Sequence, residues 1–164
     1  MKTEIFNNKK IKIREISKED LKNVKKFQDF INSLEEIAWL KEKLNQIKTK
    51  RVVALIAEDK NKIISSVDIK LGWGRENHVG HYGIAVRKGY RNIGLGTYLT
   101  KEVIKLAKNK LKPRPKIIRL SVYSINKPAI EFYRNLGFRE VAKIPKQGEI
   151  KGKLVTEVIM LLEL

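Results

Sequence analysis

The sequence predicts an α/β fold with one mixed, mostly antiparallel sheet of about seven strands flanked by four helices. Two observations support this prediction. Segments with the alternating or fully apolar pattern of strands occur in both halves of the chain. Amphipathic helical segments separate these strands in the second half. The length of 164 residues suits one domain better than two, so we expect residues 1–164 to form a single domain.

The first half of the chain predicts a strand, two helices and an antiparallel meander. Residues 11–15 alternate apolar and charged side chains, which is the period of a half-buried strand. Ser17 with Asp20, and Ser33 with Glu36, form capping-box patterns that predict the starts of two helices. Three strands joined by short turns are expected to follow, over residues 52–58, 63–73 and 79–86.

Helices and strands alternate in the second half. Apolar residues recur at helical spacing after Gly94, and Pro113 and Pro115 end this helix. Asn126 caps a second helix, which Gly137 terminates as a left-handed residue. The remaining strands are predicted over residues 116–123, 138–144 and 153–162.

Composition excludes several classes of protein. The chain has no cysteine, so disulfides, thiolate metal sites and a cysteine nucleophile are ruled out. No apolar run approaches the roughly 18 residues of a membrane span, and the first residues lack the apolar core of a secretory signal. We therefore expect a cytoplasmic protein without a membrane partner.

The net charge of +18 is spread along the whole chain rather than gathered in a tail. Residues 105–116 are the densest basic run, with six Lys and Arg and no acid. Cations at a helix end are favoured by the helix dipole, so a solvated helix terminus explains this run. A patch that binds anions or nucleic acid is the alternative.

The segment from Val86 to Gly96 predicts a phosphate site. An apolar strand there enters a glycine-rich loop that opens a helix, and free amides at a helix start attract anions. It is not a P-loop, because Gly94 is followed by Leu95 instead of the required Lys. It is not a dinucleotide fingerprint either, because Leu99 stands where the third glycine belongs.

The segment RNIGLG at residues 91–96 resembles the Gln/Arg-x-x-Gly-x-Gly/Ala motif of the GNAT superfamily of acyl-CoA-dependent N-acetyltransferases. Two other segments resemble that family: GIAV at residues 83–86, and residues 126–138 with Asn126, Tyr133 and Gly137. The order of elements fits over residues 11–162. The resemblance implies a sheet that splays between the family's fourth and fifth strands, here residues 79–86 and 116–123.

The resemblance also implies where acetyl-CoA binds. Backbone amides of the glycine-rich loop would hold the pyrophosphate, and the pantetheine arm would pair with the preceding strand. Asn126 and Tyr133 match family positions beside the cofactor arm and its sulfur. The implied cofactor-binding residues are Ile84, Ala85, Val86, Arg91, Asn92, Ile93, Gly94, Leu95, Gly96, Thr97, Asn126 and Tyr133.

Acetyl transfer to an amine needs a polarised carbonyl group and a proton for the departing thiolate. By the resemblance, the amide of Val86 would stabilise the carbonyl oxygen and Tyr133 would donate the proton. From spacing alone, Tyr133 is better explained as a packed helix aromatic, and only the match to the family position favours the catalytic role. Asn126 serves as a helix N-cap in any case, and cofactor contact can coexist with that role.

The general base has several candidates. Many relatives carry Glu where this sequence has His81, and a neutral imidazole is a sound base near pH 7. Glu76 in the preceding loop and Asp68 on the neighbouring strand are alternatives, as is a water relay without a dedicated base. His78 and His81 do not predict a metal site, because residues three apart in a strand point to opposite faces and no third ligand can be placed.

The acceptor is expected to be a primary amine of a protein or peptide. Residues 145–153, predicted to form a loop beside the acceptor, carry three Lys and one Glu. This charge favours an acidic or neutral surface around the amine. Trp73 is expected either to face the acceptor or to pack on the rim. A small-molecule amine or amino acid is the alternative acceptor.

A protein of another class is the rival interpretation. The charge of +18 also suits a non-catalytic CoA-binding module associated with nucleic acid. Tyr133 and a usable base argue against it, so nucleic acid is an open but unfavoured partner. Two such domains commonly pair in this family, which leaves a homodimer open.

Overall fold

The computed structural model describes residues 1–17, 20, 30 and 49–164. These residues form one eight-stranded sheet and two α-helices. The helices are α1 (Leu95–Lys110) and α2 (Lys127–Asn135). The strands are β1 (Lys2–Phe6), β2 (Lys9–Glu15), β3 (Val52–Asp59), β4 (Lys62–Leu71), β5 (Val79–Val86), β6 (Ile117–Tyr123), β7 (Arg139–Ile150) and β8 (Lys153–Glu163).

The sheet is mixed and mostly antiparallel, as predicted. Its order is β1-β2-β3-β4-β5-β6-β8-β7, and β5 with β6 is the parallel pair in the described sheet. The predicted number of about seven strands is wrong, because residues 2–6 form an additional edge strand. Asn7 and Asn8 both adopt positive φ angles, 47° and 62°, which close a tight hairpin between β1 and β2.

The two helices predicted near Ser17 and Ser33 lie outside the described residues, apart from the start of the first. There the Asp20 carboxylate accepts a hydrogen bond from the Ser17 amide at 2.7 Å, which is one half of a capping box. Arg14 of β2 donates two hydrogen bonds of 2.7 Å to the same carboxylate. Asp20 therefore ties the predicted helix start to the sheet.

The main core lies between α1 and one face of the sheet. Leu95, Leu99 and Val103 of the predicted apolar stripe are completely buried, as is Ala107, whereas Leu106, the fourth residue of the predicted stripe, is half-buried. Tyr82 of β5 points into the same core. Successive side chains of a strand alternate between faces, so His81 lies on the other side of the sheet. We call these the α1/α2 face and the far face.

The prediction of a loop at residues 145–153 is wrong. β7 continues to Ile150, and the turn to β8 is made by Lys151 and Gly152, both at positive φ. Pro145 is tolerated because β7 is the edge strand and its register shifts between Ile144 and Gly148. The result is a long hairpin in place of a flexible connection.

Candidate active site

The sheet opens between β5 and β6. These strands pair over only three positions, Val79 with Ile117, Gly80 with Ile118, and His81 with Arg119. On its other edge, β5 stays paired with β4 as far as Val86. The backbone from Tyr82 to Val86 therefore faces a gap instead of a strand, and the expected splay is present in the structure.

A cleft of about 550 Å³ occupies this gap. It brings together the end of β5, the glycine-rich loop, the start of α1 and one side of α2. Its lining residues are Ile84, Ala85, Val86, Tyr90, Arg91, Asn92, Gly94, Gly96, Thr97, Asn126, Pro128, Ala129, Phe132 and Tyr133.

Two of the predicted cofactor residues do not line the cleft. Leu95, the first residue of α1, is completely buried, and Ile93 packs against the core. Both were predicted through backbone amides of the loop. Their side chains anchor that loop, because an apolar residue on each side of Gly94 holds it onto the core.

The loop conformation depends on residues that tolerate positive φ. Gly94, the N-cap of α1, has φ 83°, and Asn92 has φ 59°. Arg91 donates a hydrogen bond from Nε to the Val86 carbonyl at 2.9 Å, which ties the loop to the end of β5. Gly94, Gly96 and Thr97 at the start of α1 line the cleft, and a helix start favours an anion.

A glycine is also needed inside the first turn of α1. A Cβ atom on Gly96 would lie 3.3 Å from Cζ of Phe132, so the missing side chain lets α2 come close to α1. Thr100, one turn further, donates a hydrogen bond to the Gly96 carbonyl at 2.7 Å. Its hydroxyl oxygen then accepts one from the Tyr82 hydroxyl at 2.7 Å. This chain holds β5 and the loop in fixed relation.

Tyr133 extends from α2 among aromatic rings. The centroids of Phe132, Phe138 and Tyr82 lie 5.2, 5.9 and 6.0 Å from its own. Burial raises the pKa of Tyr133 to about 12, so its hydroxyl carries a proton at neutral pH. Tyr133 therefore has the protonation state that a proton donor needs.

Asn126 occupies the other end of α2. Its Oδ1 accepts a hydrogen bond from the Ala129 amide at 3.3 Å, so the predicted N-cap is present. The same residue lines the cleft. Both expected placements of Asn126 are thus compatible in one conformation.

Sequence reasoning missed four cleft residues: Tyr90, Pro128, Ala129 and Phe132. The last three lie in the segment that carried the resemblance, so their place on the first turns of α2 was a usable signal. Tyr90 had none, because its position depends on distant contacts. Its hydroxyl donates to Asp59 at 2.7 Å, and the Lys9 ammonium lies 4.3 Å from its ring centroid.

His81 and Glu76 lie together outside the cleft. His81 projects from the far face of β5, and its Nε2 is 3.8 Å from Oε2 of Glu76. Burial lowers the pKa of His81, Arg119 and Lys70 lower it further, and Glu76 opposes them. The imidazole is thus held neutral near pH 7, and its side chain is still 41% exposed. Two residues predicted as separate alternatives for the base form one pair.

Asp68 of β4 lies opposite the next residue of β5 after His81 that belongs to the far face. It is buried and pairs in register with Gly83, where an added Cβ would lie 3.3 Å from Oδ1 of Asp68. Within the described ranges, no three His, Asp or Glu side chains are grouped as a metal would require. The helices described also include none with the length and apolarity to cross a bilayer.

The comparison with protein families identifies the class. The family described as "Acetyltransferase (GNAT) family" matches residues 12–138, which is most of the chain. The chain therefore belongs to the GNAT acetyltransferase family, and the resemblance inferred from the residues is confirmed. The cleft, the glycine-rich loop and Tyr133 all lie within the matched range.

Two curated relatives match parts of the chain. An N-alpha-acetyltransferase of Sulfurisphaera tokodaii is 29% identical over 107 residues, 60% of this chain and 63% of the relative. The L-amino acid N-acetyltransferase AaaT of Escherichia coli is 38% identical over 64 residues, 39% of this chain and 38% of the relative. The matched stretches thus span less than two thirds of each relative.

Solved structures show the same fold over nearly the whole chain. An acetyltransferase of the GNAT family from Streptococcus pneumoniae superposes with a TM-score of 0.81 at 22% identity, covering 94% of this chain and 99% of that one. Arabidopsis thaliana NAA60 in complex with acetyl-CoA has a TM-score of 0.68 at 20% identity, covering 94% and 98%. At these identities the likeness concerns the fold alone.

Proposed function

We propose that this protein transfers an acetyl group from acetyl-CoA directly to a primary amine. The observation that supports this most strongly is the cleft between β5 and β6, which carries an anion-binding loop at one end and Tyr133 beside it. Residues 91–97 would hold the pyrophosphate. The open edge of β5 at residues 84–86 would pair with the pantetheine arm.

Each residue then has a defined task in the reaction. Acetyl-CoA supplies the acetyl group as an activated thioester. The Val86 amide stabilises negative charge on the carbonyl oxygen as the amine attacks. Tyr133 donates its proton to the departing thiolate, and its raised pKa keeps that proton in place until then.

His81 takes the proton that the attacking amine loses, directly or through a water molecule. Its lowered pKa keeps the imidazole neutral, which a base requires. Glu76 stabilises the imidazolium that results, because its carboxylate lies 3.8 Å from Nε2. The pair therefore works as a base with its electrostatic support. Asp68 is not favoured as the base, because its side chain is buried and does not reach an acceptor that arrives from solvent.

The favoured acceptor is an amino group of a protein or peptide. Trp73 supports this, because it lies just before the turn that carries Glu76. Its side chain is available for contact, since 66% of its surface is exposed. The guanidinium of Arg51 stacks 4.1 Å from the centroid of one of its rings. An exposed, fixed aromatic suits contact with a chain longer than a free amino acid. An N-alpha-acetyltransferase is among the relatives that match.

A small-molecule amine or amino acid is the second candidate acceptor. The match to the L-amino acid N-acetyltransferase AaaT supports this second candidate. Residues 1–164 are expected to act as one domain in the cytoplasm, with a homodimer left open.

The test is turnover of acetyl-CoA by the full chain with a panel of amines, followed by thiol release and by mass spectrometry of the acceptor. Acetylated product from at least one primary amine is the expected result. CoA binding without turnover, joined by a steeply salt-dependent affinity for RNA, would instead favour the non-catalytic rival.

A further inference from the structure

A row of three side chains crosses the far face of the sheet. Lys70 of β4 pairs in register with His81 of β5, and His81 pairs in register with Arg119 of β6. Residues paired across neighbouring strands project to the same face, about 5 Å apart. The imidazole therefore lies between an ammonium and a guanidinium.

This row stands at the point where the sheet opens. His81 with Arg119 is the last pair between β5 and β6 before the two strands part. The next residues of β5 face the cleft from the edge, and Tyr133 lies against Tyr82 on the α1/α2 face. An amine that reaches the gap from the far face would pass beside Lys70, His81 and Arg119.

The charges of two cations reach the imidazole in this row. Lys70 and Arg119 both lower the pKa of His81, so their charges act at the imidazole. Within the described part of the chain, the Arg119 guanidinium makes no hydrogen bond or ion pair. Glu163 of β8 pairs in register with Ile117, two residues before Arg119, so it lies on the same face as Arg119. It forms no ion pair with Arg119. Among the described residues, two acids lie close to the row: Glu76, beside His81 with its side chain 62% exposed, and Asp68, buried on the same face of β4 two residues from Lys70.

We propose that Arg119 binds a carboxylate of the acceptor next to the amine that is acetylated. This rests on the proposed function. A guanidinium binds a carboxylate through two parallel hydrogen bonds, which an ammonium cannot do. Because His81 and Arg119 stand on neighbouring strands about 5 Å apart, one small acceptor with an amine next to a carboxylate, such as an α-amino acid, could contact both.

Two kinds of acceptor would supply this carboxylate. One is a free α-amino acid with its own carboxylate, and the other is a peptide whose first residue has an acidic side chain. Polyamines and amines in a cationic setting are disfavoured by the same two charges. The role of Arg119 is acceptor binding rather than chemistry, so its loss should raise KM more than it lowers kcat.

The test compares acceptors that differ only in the carboxylate. kcat/KM is measured for an α-amino acid against its amide, and for peptides starting with Asp or Glu against those starting with Asn or Gln. The first member of each matched pair should be preferred by about 10- to 100-fold in the series that supplies the natural source. The series that shows the preference identifies that source.

The variant Arg119→Gln should abolish this preference mainly through KM, with a smaller effect on the amide acceptors that comes from the altered charge at His81. Arg119→Lys should restore part of it, because charge returns without the two parallel hydrogen bonds. Arg114→Gln is the matched control, since Arg114 is exposed at the end of α1 and donates to the Lys108 carbonyl. Thermal melting verifies that each variant is folded.

Binding of the N-acetylated products, measured by calorimetry with CoA present, reads the site without turnover. Tighter binding of the acid product than of its amide in wild type, lost in Arg119→Gln, supports the carboxylate site. Equal kcat/KM and equal binding for acids and amides would overturn it. Absence of turnover with every amine would overturn the proposed function while the binding comparison still decides the role of Arg119.

Discussion

Burial gives the Tyr133 hydroxyl its proposed role, because it raises the pKa to about 12 and keeps the proton on the oxygen. The variant Tyr133→Phe should lower kcat by about a hundredfold while acetyl-CoA still binds, since the ring remains and only the proton donor is lost. Steady-state kinetics and calorimetry measure the two quantities.

Tyr98→Phe is the matched control for this variant. The Tyr98 hydroxyl donates a hydrogen bond to Glu4 at 2.9 Å, and Tyr98 does not line the cleft. It should turn over normally. Normal turnover in Tyr133→Phe itself would remove Tyr133 from the mechanism.

The His81 imidazole predicts a pH profile. A base must be neutral, and the pKa of His81 is lowered below its usual value of about 6.5 by burial, Arg119 and Lys70. kcat/KM should therefore show an inflection below that value, separate from the rise at higher pH that follows the pKa of the acceptor amine. Glu76→Gln should move the inflection to lower pH, because the charge that raises the pKa is removed.

His81→Gln should eliminate the inflection and reduce kcat/KM by tenfold or more, in the range of about 10² for general bases. His78→Gln is the control, because His78 precedes β5 and should leave the profile unchanged. An inflection that persists in His81→Gln would assign the base elsewhere.

Among the structural elements, the glycine-rich loop depends most on backbone conformation. Gly94 has φ 83°, where a side chain is strained, so Gly94→Ala should lower the free energy of unfolding by about 1–2 kcal/mol. The affinity for acetyl-CoA should fall as well, because the amides that follow would turn away from the pyrophosphate.

Gly89→Ala is the matched control in the same loop. An added Cβ there would meet no atom within 4 Å, and no positive φ constrains the residue. Denaturant unfolding and calorimetry should show little change in this variant. Equal effects of the two substitutions would contradict the conformational argument.

Elements with strong local signals were predicted well. α1 was placed by its apolar spacing and α2 by Asn126 and Gly137, because caps and periodicity act within a few residues. β1 and the second half of β7 were missed. Both are edge segments whose pairing depends on a partner strand rather than on their own patterns, as their burial shows.

At the scale of the whole molecule, the charge of +18 should attract a polyanionic cofactor. The apparent KM for acetyl-CoA should rise about threefold or more as NaCl is increased from about 0.05 M to about 0.5 M, because the Debye length falls well below 10 Å. Sucrose at equal osmolality is the control and should have little effect. A KM independent of salt would show that the net charge has no part in cofactor binding.

The sequence by itself determined the acetyltransferase class, the glycine-rich loop and the two helices that border the cleft. These features are contiguous in the chain, so local conformational preference and the motif specify them. Only the tertiary structure joined Glu76 to His81 and placed Lys70 and Arg119 on either side of it. Strand register brings Lys70, His81 and Arg119 together from three separate strands, the turn before β5 adds Glu76, and register is set by the packing of the whole sheet.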